Sequence, residues 1–411
     1  MKKIRFIHLS DIHIGLLAHG KINPSTGLNT RLEDVLGCLD YVFHTARKES
    51  VDLVLIAGDV FHRGNPHPAE EIEFARRIRG VSGEGGARVL IVLGNHDYPS
   101  SGSSASAVEI FPALEIDGVT IVRKPELVRV NTKNGVVQVA CLPWAGPAAL
   151  VAREEYKSLS RQELQIEIEK RFIAIIRDLT KKVDSSDPAL FLGHLAVRDA
   201  RLSGTEIDTL ATSDPVVPVG ELAVRPFGYV GLGHIHRFQN LNPGHAPPVV
   251  YSGSIERIDF TEEKEKKGFV LGELSSSDGG WKCEFDFIET PARRFVTIEI
   301  GENDKDGAGA VNPGRFLPEN TDDAIVRVRY EVSGPGDEID EKSIKEIFKN
   351  AHSLKIERVF TKPGKVLRQA ELSSSMNVLD ALEKYIQTKP GLKKIGKDMK
   401  TYAEKLIREN E

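Results

Sequence analysis

Five short apolar runs in this chain each stop at a cluster of polar side chains able to bind metal. Ile4–Leu9 ends in Ser10-Asp11-Ile12-His13. Val51–Ala57 ends in Gly58-Asp59, and Val89–Leu93 in Gly94-Asn95-His96-Asp97. Ala189–Leu192 ends in Gly193-His194, and Gly228–Leu232 in Gly233-His234-Ile235-His236. Burying such groups is costly unless something binds them. Short runs of this kind, with Val249–Tyr251 as a sixth, fit strands buried on both faces. Two helices are signalled between them. Thr30-Arg-Leu-Glu33 and Ser160-Arg-Gln-Glu163 read as capping boxes, and apolar residues follow both at helical spacing. Strands alternating with helices indicate a layered α/β or α+β domain. Ligands gather at the carboxyl ends of strands in such folds, so all five clusters are expected on one rim.

The residue types suit a hard or borderline cation. Asp, Asn and neutral His supply oxygen and nitrogen donors, and no cysteine joins them. That disfavours a cysteine-rich structural zinc site and favours Mn²⁺, with Fe or Zn as alternatives. Seven donor residues are too many for one ion. They suit two, with one carboxylate shared. Two ions about 4 Å apart can hold an in-line displacement at phosphorus. Each cluster alone is weak, since Asn and Asp also favour turns. All five together, each after an apolar run, are strong.

The chain has 411 residues, of which 40% are hydrophobic and 28% charged, and this length suggests two or three domains. The first residues lack the apolar stretch of a signal peptide. No run of about 18 apolar residues exists, so no membrane span is expected. Cys38, Cys141 and Cys283 are scattered and read as reduced thiols of a cytoplasmic protein. The net charge of −5 argues weakly against a nucleic-acid partner. Carboxylates that hold cations inflate the acidic count, so charge does not settle the partner.

After Pro291 the texture changes. Arg294–Ile300, Ala324–Val332 and Leu354–Phe360 read as strands, and Asp340–Asn350 as a helix. Two further helices are expected. One runs from Met376 through Val378, Tyr385 and Ile386, and Pro390-Gly391 ends it. The other carries Met399, Tyr402 and Leu406. A helical hairpin this small buries too little surface to stand alone, so it is expected to dock on something.

Through Asp11-Ile-His13, Gly58-Asp59, Gly94-Asn-His-Asp97, Gly193-His194 and Gly233-His-Ile-His236, the chain resembles the calcineurin-like metallophosphoesterases. The resemblance implies an α+β fold, a four-layer α/β/β/α sandwich with two metals. It implies that Asp11, His13 and His236 hold one ion, that Asn95, His194 and His234 hold the other, and that Asp59 bridges them. His96 would protonate the leaving group, with Asp97 orienting its ring. His62 would support the site or position a phosphate.

Further features make the chain similar to the nuclease subunits of double-strand-break repair complexes. These are Asn65-Pro66 after His62, the stretch Tyr251–Phe260 running into Glu262–Phe269, and the small α/β unit with its terminal hairpin. That likeness implies a Mn²⁺-dependent DNA nuclease: a 3′-to-5′ exonuclease on duplex ends, and an endonuclease on single strands and hairpins. It implies a homodimer, with helices near Pro68–Ile78 and Ser103–Leu114 at the interface, and an ABC-type ATPase partner with a coiled coil. Residues 1–292 would form the nuclease domain. Residues 293–370 would cap the DNA entrance, and 371–411 would bind the base of the partner's coiled coil. The segment Lys264–Lys267 reads either as a phosphate contact or as a solvated turn, and Arg257 as structural. The alternative readings are a phosphatase or cyclic-nucleotide phosphodiesterase with the same metals, and an adaptor that acts through its hairpin. An adaptor has no physical need for the donor set.

Overall fold

The computed structural model describes residues 3–83, 85–99, 105–144, 159–204, 216–277, 280–301, 321–332, 340–360, 379, 382–383, 386 and 396–409. Strands β1 (Lys3–Leu9), β2 (Leu53–Ala57), β3 (Arg88–Val92) and β4 (Val119–Val122) come first. β5 (Glu126–Thr132), β6 (Gly135–Leu142) and β7 (Ala189–His194) follow, then the short β8 (Ala196–Val197) and β9 (Val216–Val217). Next are β10 (Tyr229–Gly233), β11 (Gln239–Asn240) and β12 (Val249–Tyr251). The hairpin β13 (Gly268–Ser277) and β14 (Gly280–Glu289) precedes β15 (Phe295–Ile300), β16 (Ile325–Val332) and β17 (Ser353–Phe360).

These strands build two six-stranded sheets, ordered β14-β13-β1-β2-β3-β4 and β11-β12-β10-β7-β6-β5. β1, β2, β3 and β4 run parallel, as do β6, β7, β10 and β12. The hairpin strand β13 lies antiparallel to β1, and β5 antiparallel to β6. A third sheet has the order β15-β16-β17.

Alternation along the strands sets the layers. Val54 and Ile56 of β2 pack with helices α1 (Thr30–Lys48) and α2 (Pro68–Ser82). Leu53, Leu55 and Ala57 of the same strand face the other way, onto Val139, Leu190 and Val250 of the second sheet. The outer face of that second sheet is covered by Ile168, Phe172 and Ile176 of α3 (Arg161–Lys182). The order is helix, sheet, sheet, helix: the four-layer α+β sandwich expected from the sequence.

The cap of α3 is the expected box, with Ser160 N–H donating to Glu163 Oε2 at 2.9 Å. At α1 the cap sits one residue before the expected box: Asn29 Oδ1 accepts from Arg31 N–H at 2.9 Å. Asn29 has the extended backbone of a cap, while Thr30 is already the first helical residue and its Oγ1 accepts from Lys21 N–H.

In the later part of the chain, helices α4 (Glu341–Ile347) and α5 (Gly396–Glu409) are present. Met376, Val378, Tyr385 and the Pro390-Gly391 break lie outside the described residues. The chain forms two compact units. One is Met1–Ile298 with Phe316–Arg327 and Ile347–Lys355. The other is Glu299–Arg315 with Val328–Glu346 and Ile356–Glu411. Among the described residues, no helix is long and apolar enough to cross a membrane.

One polar group sits fully buried in the sandwich. His8 of β1 lies 2.9 Å from the Tyr229 hydroxyl of the facing sheet. Burial holds its pKa down from 6.5 to about 3, against a hydrogen bond with the Leu232 backbone that favours the charged ring. The folded protein therefore keeps His8 neutral at a pH where the unfolded chain protonates it. Its contribution is present above pH 6.5 and is lost as pH falls toward 3. Between pH 6.5 and 4 the wild type should lose roughly 3 kcal/mol more unfolding free energy than His8→Leu. Urea titrations at the two pH values measure this, and equal losses would show that the ring is not held neutral.

Candidate metal centre

The backbone at three of the five strand ends is bent to bring the donors together. Asp11, His13, Asp59 and His234 all have positive φ, at 51°, 52°, 53° and 99°. Non-glycine residues adopt that conformation at a cost, and such outliers cluster at functional sites. The loops are laced by main-chain bonds: Asp11 N–H donates to Gly58 O and His13 N–H to Asp59 O, both at 3.1 Å. Close approach demands glycine at two positions. A Cβ at Gly94 would stand 2.1 Å from Asp59 Oδ1, and one at Gly58 would stand 2.3 Å from His194 Nδ1.

All seven expected ligands meet here. Asp11, His13, Asp59, His194, His234 and His236 are buried, while Asn95 is partly exposed. Asp11, His13 and His236 bring one donor atom each within 4.8 Å of one another, and so do Asp11, Asp59 and His194. Asp59 Oδ1 accepts from His96 N–H at 2.8 Å. Its Oδ2 lies 3.9 Å from His13 Nε2 and 3.6 Å from His194 Nε2, between the two groups. Asn95 Oδ1 is 2.9 Å from His194 Nε2 and 3.2 Å from His234 Nδ1. Asp11 is held by the Ser10 hydroxyl at 2.5 Å and by His234 N–H at 3.0 Å.

The donor set fits cations. Burial lowers the pKa of His194 and, with the neighbouring His96 and His236, lowers that of His13 well below 6.5. Both rings are neutral. His194 Nδ1 is 2.8 Å from the Ala57 carbonyl, which can only accept, so the ring proton is on Nδ1. The bare lone pair of Nε2 then faces Asn95 Oδ1 and Asp59 Oδ2. Burial alone would raise Asp59, but His194, His96 and the His96 amide outweigh it and hold the carboxyl below its ordinary range. Lone pairs aimed at a carboxylate with no proton between them call for a cation.

His62 and His96 stand at the partly exposed mouth, their rings stacked at 5.8 Å. His96 Nδ1 lies 2.9 Å from the His62 carbonyl, which turns Nε2 away from that carbonyl. His62 Nδ1 is 3.4 Å from His13 Nδ1. Asp97 does not touch the His96 ring. Its Oδ1 accepts from the amides of Val60 and Phe61 at 3.0 and 3.2 Å, and its Oδ2 from Gly94 N–H at 2.9 Å. It ties the Gly94–Asp97 loop to the Asp59 loop, and the His62 carbonyl takes the place expected for Asp97 at the ring.

In the segment Lys264–Lys267, Lys264 and Lys266 are exposed, as a solvated turn requires, but Lys267 is not. Lys267 is buried, pairs with Glu262 at 2.9 Å and donates to the His236 carbonyl at 3.0 Å. Glu262 meets His236 Nδ1 at 2.9 Å. Neither was singled out from the sequence, where a charge run reads as solvated. Arg257 is structural, donating to the carbonyls of Arg293 at 3.0 Å and Glu265 at 2.8 Å.

The Gly94 contact gives a direct test. Gly94→Ala pushes a methyl group into Asp59 and should weaken divalent-ion binding at least tenfold while the far-ultraviolet circular dichroism stays native. Metal content after dialysis reads this out. A variant that keeps wild-type metal content would show that Asp59 does not hold the ions.

Comparison with known proteins agrees with this geometry. The calcineurin-like phosphoesterase family profile matches residues 4–238. The chain is 23% identical over 275 residues to the SbcD component of the nuclease SbcCD from Bacillus subtilis, covering 65% of this chain and 66% of that protein. It is 24% identical over 309 residues to the DNA double-strand break repair protein Mre11 of Methanopyrus kandleri, covering 72% and 59%. It is 24% identical over 268 residues to the SbcD component of the nuclease SbcCD from Escherichia coli K12, covering 63% and 62%. The alignments thus span about two thirds or less of these relatives' own lengths. With the family match running over more than half of its length, the chain belongs to the calcineurin-like phosphoesterases.

Proposed function

We propose that the chain is a DNA nuclease using two divalent ions, most readily Mn²⁺, that cleaves phosphodiester bonds in double-strand-break repair. One observation carries this reading. A shared carboxylate oxygen, Asp59 Oδ2, lies between two groups of buried nitrogen and oxygen donors, beneath a histidine mouth. The relatives' names, nuclease and double-strand-break repair protein, supply the substrate class. When bound, the two ions supply Lewis-acid chemistry and an activated water.

The chain's own residues divide the remaining work. Asp11, His13 and His236 hold one ion; Asn95, His194 and His234 hold the other; Asp59 bridges. His96 gives a proton to the leaving oxygen through Nε2, with the His62 carbonyl fixing its ring. His62, stacked beside His96 at the same mouth, positions the phosphate. Activity as a 3′-to-5′ exonuclease on duplex ends and as an endonuclease on single strands and hairpins belongs to this reading, as does cytoplasmic residence. Ile72, Ile110 and Leu114 expose large apolar side chains that support a homodimer face. Residues 293–370 cap the DNA entrance, and residues 371–411 bind an SbcC-type ABC ATPase.

The test incubates the protein with a 3′-labelled linear duplex in Mn²⁺, in Mg²⁺ and in EDTA. Release of label should require the divalent ion and vanish in Asp59→Ala. Hydrolysis of a small phosphomonoester that outpaces DNA cleavage would favour a phosphatase instead. His96→Ala should keep both ions and lose cleavage by about 100-fold or more, since it removes an acid and no ligand. Loss of the ions in that variant would refute the assigned role. Deleting residues 376–411 should abolish co-purification with the ATPase while Mn²⁺-dependent cleavage persists, and a truncated chain that still binds would refute that contact.

A further inference from the structure

His236 is the ligand with the most elaborate support. Its Nδ1 is 2.9 Å from Glu262 Oε1, and Glu262 is wholly buried. A carboxylate only accepts, so it sets the proton of a neutral His236 on Nδ1 and leaves Nε2 bare toward His13 Nε2, 3.2 Å away. Lys267, with no side-chain exposure, faces Glu262 Oε2 at 2.9 Å. It also donates to the main-chain carbonyl of His236 at 3.0 Å. Lys267 also pairs with Glu265 Oε2 at 3.0 Å, so a buried charge cluster of one lysine and two carboxylates holds both the ring and the backbone of a single ligand. The desolvation cost of such a cluster makes it a poor choice for stability alone.

The turn that carries Glu262 is itself held from elsewhere. Ile258 N–H donates to Glu262 Oε2 at 2.8 Å. Phe260 packs against Phe295, with ring centroids 4.9 Å apart, and the Arg327 guanidinium lies 4.3 Å over its face. Glu263 accepts from Thr297 N–H at 3.0 Å and from the Thr297 hydroxyl at 2.6 Å. Arg327 donates in turn to Thr297 Oγ1 at 3.0 Å.

We infer that Glu262, clamped by Lys267, is the positioning residue of His236, and that its turn makes the placement of this one ligand depend on Phe295, Thr297 and Arg327. The inference rests on the proposed assignment of His236 to one of two ions. It predicts an asymmetric defect. Disturbing Glu262 should weaken the ion held by His236 and spare the ion held by Asn95, His194 and His234.

The experiment titrates Mn²⁺ alone into metal-free full-length protein by calorimetry and follows it by electron paramagnetic resonance. The wild type should take two ions and show a spin-coupled spectrum. Glu262→Gln should bind one ion at least tenfold more weakly, within the range seen when a ligand's hydrogen-bond partner is lost. The second ion should hold within about twofold, and the spectrum should become the six-line pattern of an isolated Mn²⁺. The double variant Glu262→Leu with Lys267→Met removes both charges, so it keeps the test open if the single variant unfolds. Thr297→Val, which touches no ligand, should weaken the same ion by a smaller factor. Folded Glu262 variants that bind both ions as the wild type does, or lose both equally, would overturn the positioning role. An unchanged Thr297→Val would overturn its long-range part. A wild type that takes no pair of ions would instead refute the two-metal assignment beneath it.

Discussion

Lone pairs facing lone pairs are the constraint that organises this molecule. His194 Nε2 faces both Asn95 Oδ1 and Asp59 Oδ2, with the His194 proton committed to the Ala57 carbonyl. A cation between them relieves that arrangement. Much of the local irregularity follows from it: the left-handed backbone at Asp11, His13, Asp59 and His234, and the missing side chains at Gly58 and Gly94. A loop free to relax would turn these donors outward to water. They stay because two strand-rich layers fix the loop ends, and because main-chain bonds such as Asp11 N–H to Gly58 O continue the ladder past the last strand residue.

The electrostatics divide the site by depth. Burial keeps the rings of His13 and His194 unprotonated, so they are acceptors. His62 and His96 stand further out, at the partly exposed mouth. Burial, His96 and Arg63 still lower His62, which keeps that ring neutral beside its neighbour.

How much of this was legible in the sequence depended on how local the signal was. The strand ends were legible because an apolar run that stops at Asp, Asn or His is a feature of a few adjacent residues. The Ser160 cap was legible for the same reason. Glu262 and Lys267 were not. Their burial arises when residues 258–267 fold back beneath His236, and a run of alternating charge carries no trace of that. Asp97 was misread because the sequence shows it beside His96 but not that three amides converge on it. The α1 cap was misplaced because Asn29 and Thr30 both qualify by residue type, and only the backbone, extended at Asn29 and helical from Thr30, separates them.

The strand order has a consequence for how the protein is made. β1 carries Asp11 and His13 at its end, yet its antiparallel neighbour is β13, which begins at Gly268. Lys267, the last support of His236, immediately precedes that strand. At ordinary translation rates the first strand waits on the order of tens of seconds for this neighbour. Until then one edge of β1 has no partner, and the centre lacks the clamp on its final ligand. A ribosome-bound chain is therefore chemically incomplete until its hairpin has emerged. A metal centre completed in this order stays unfinished for most of its own synthesis.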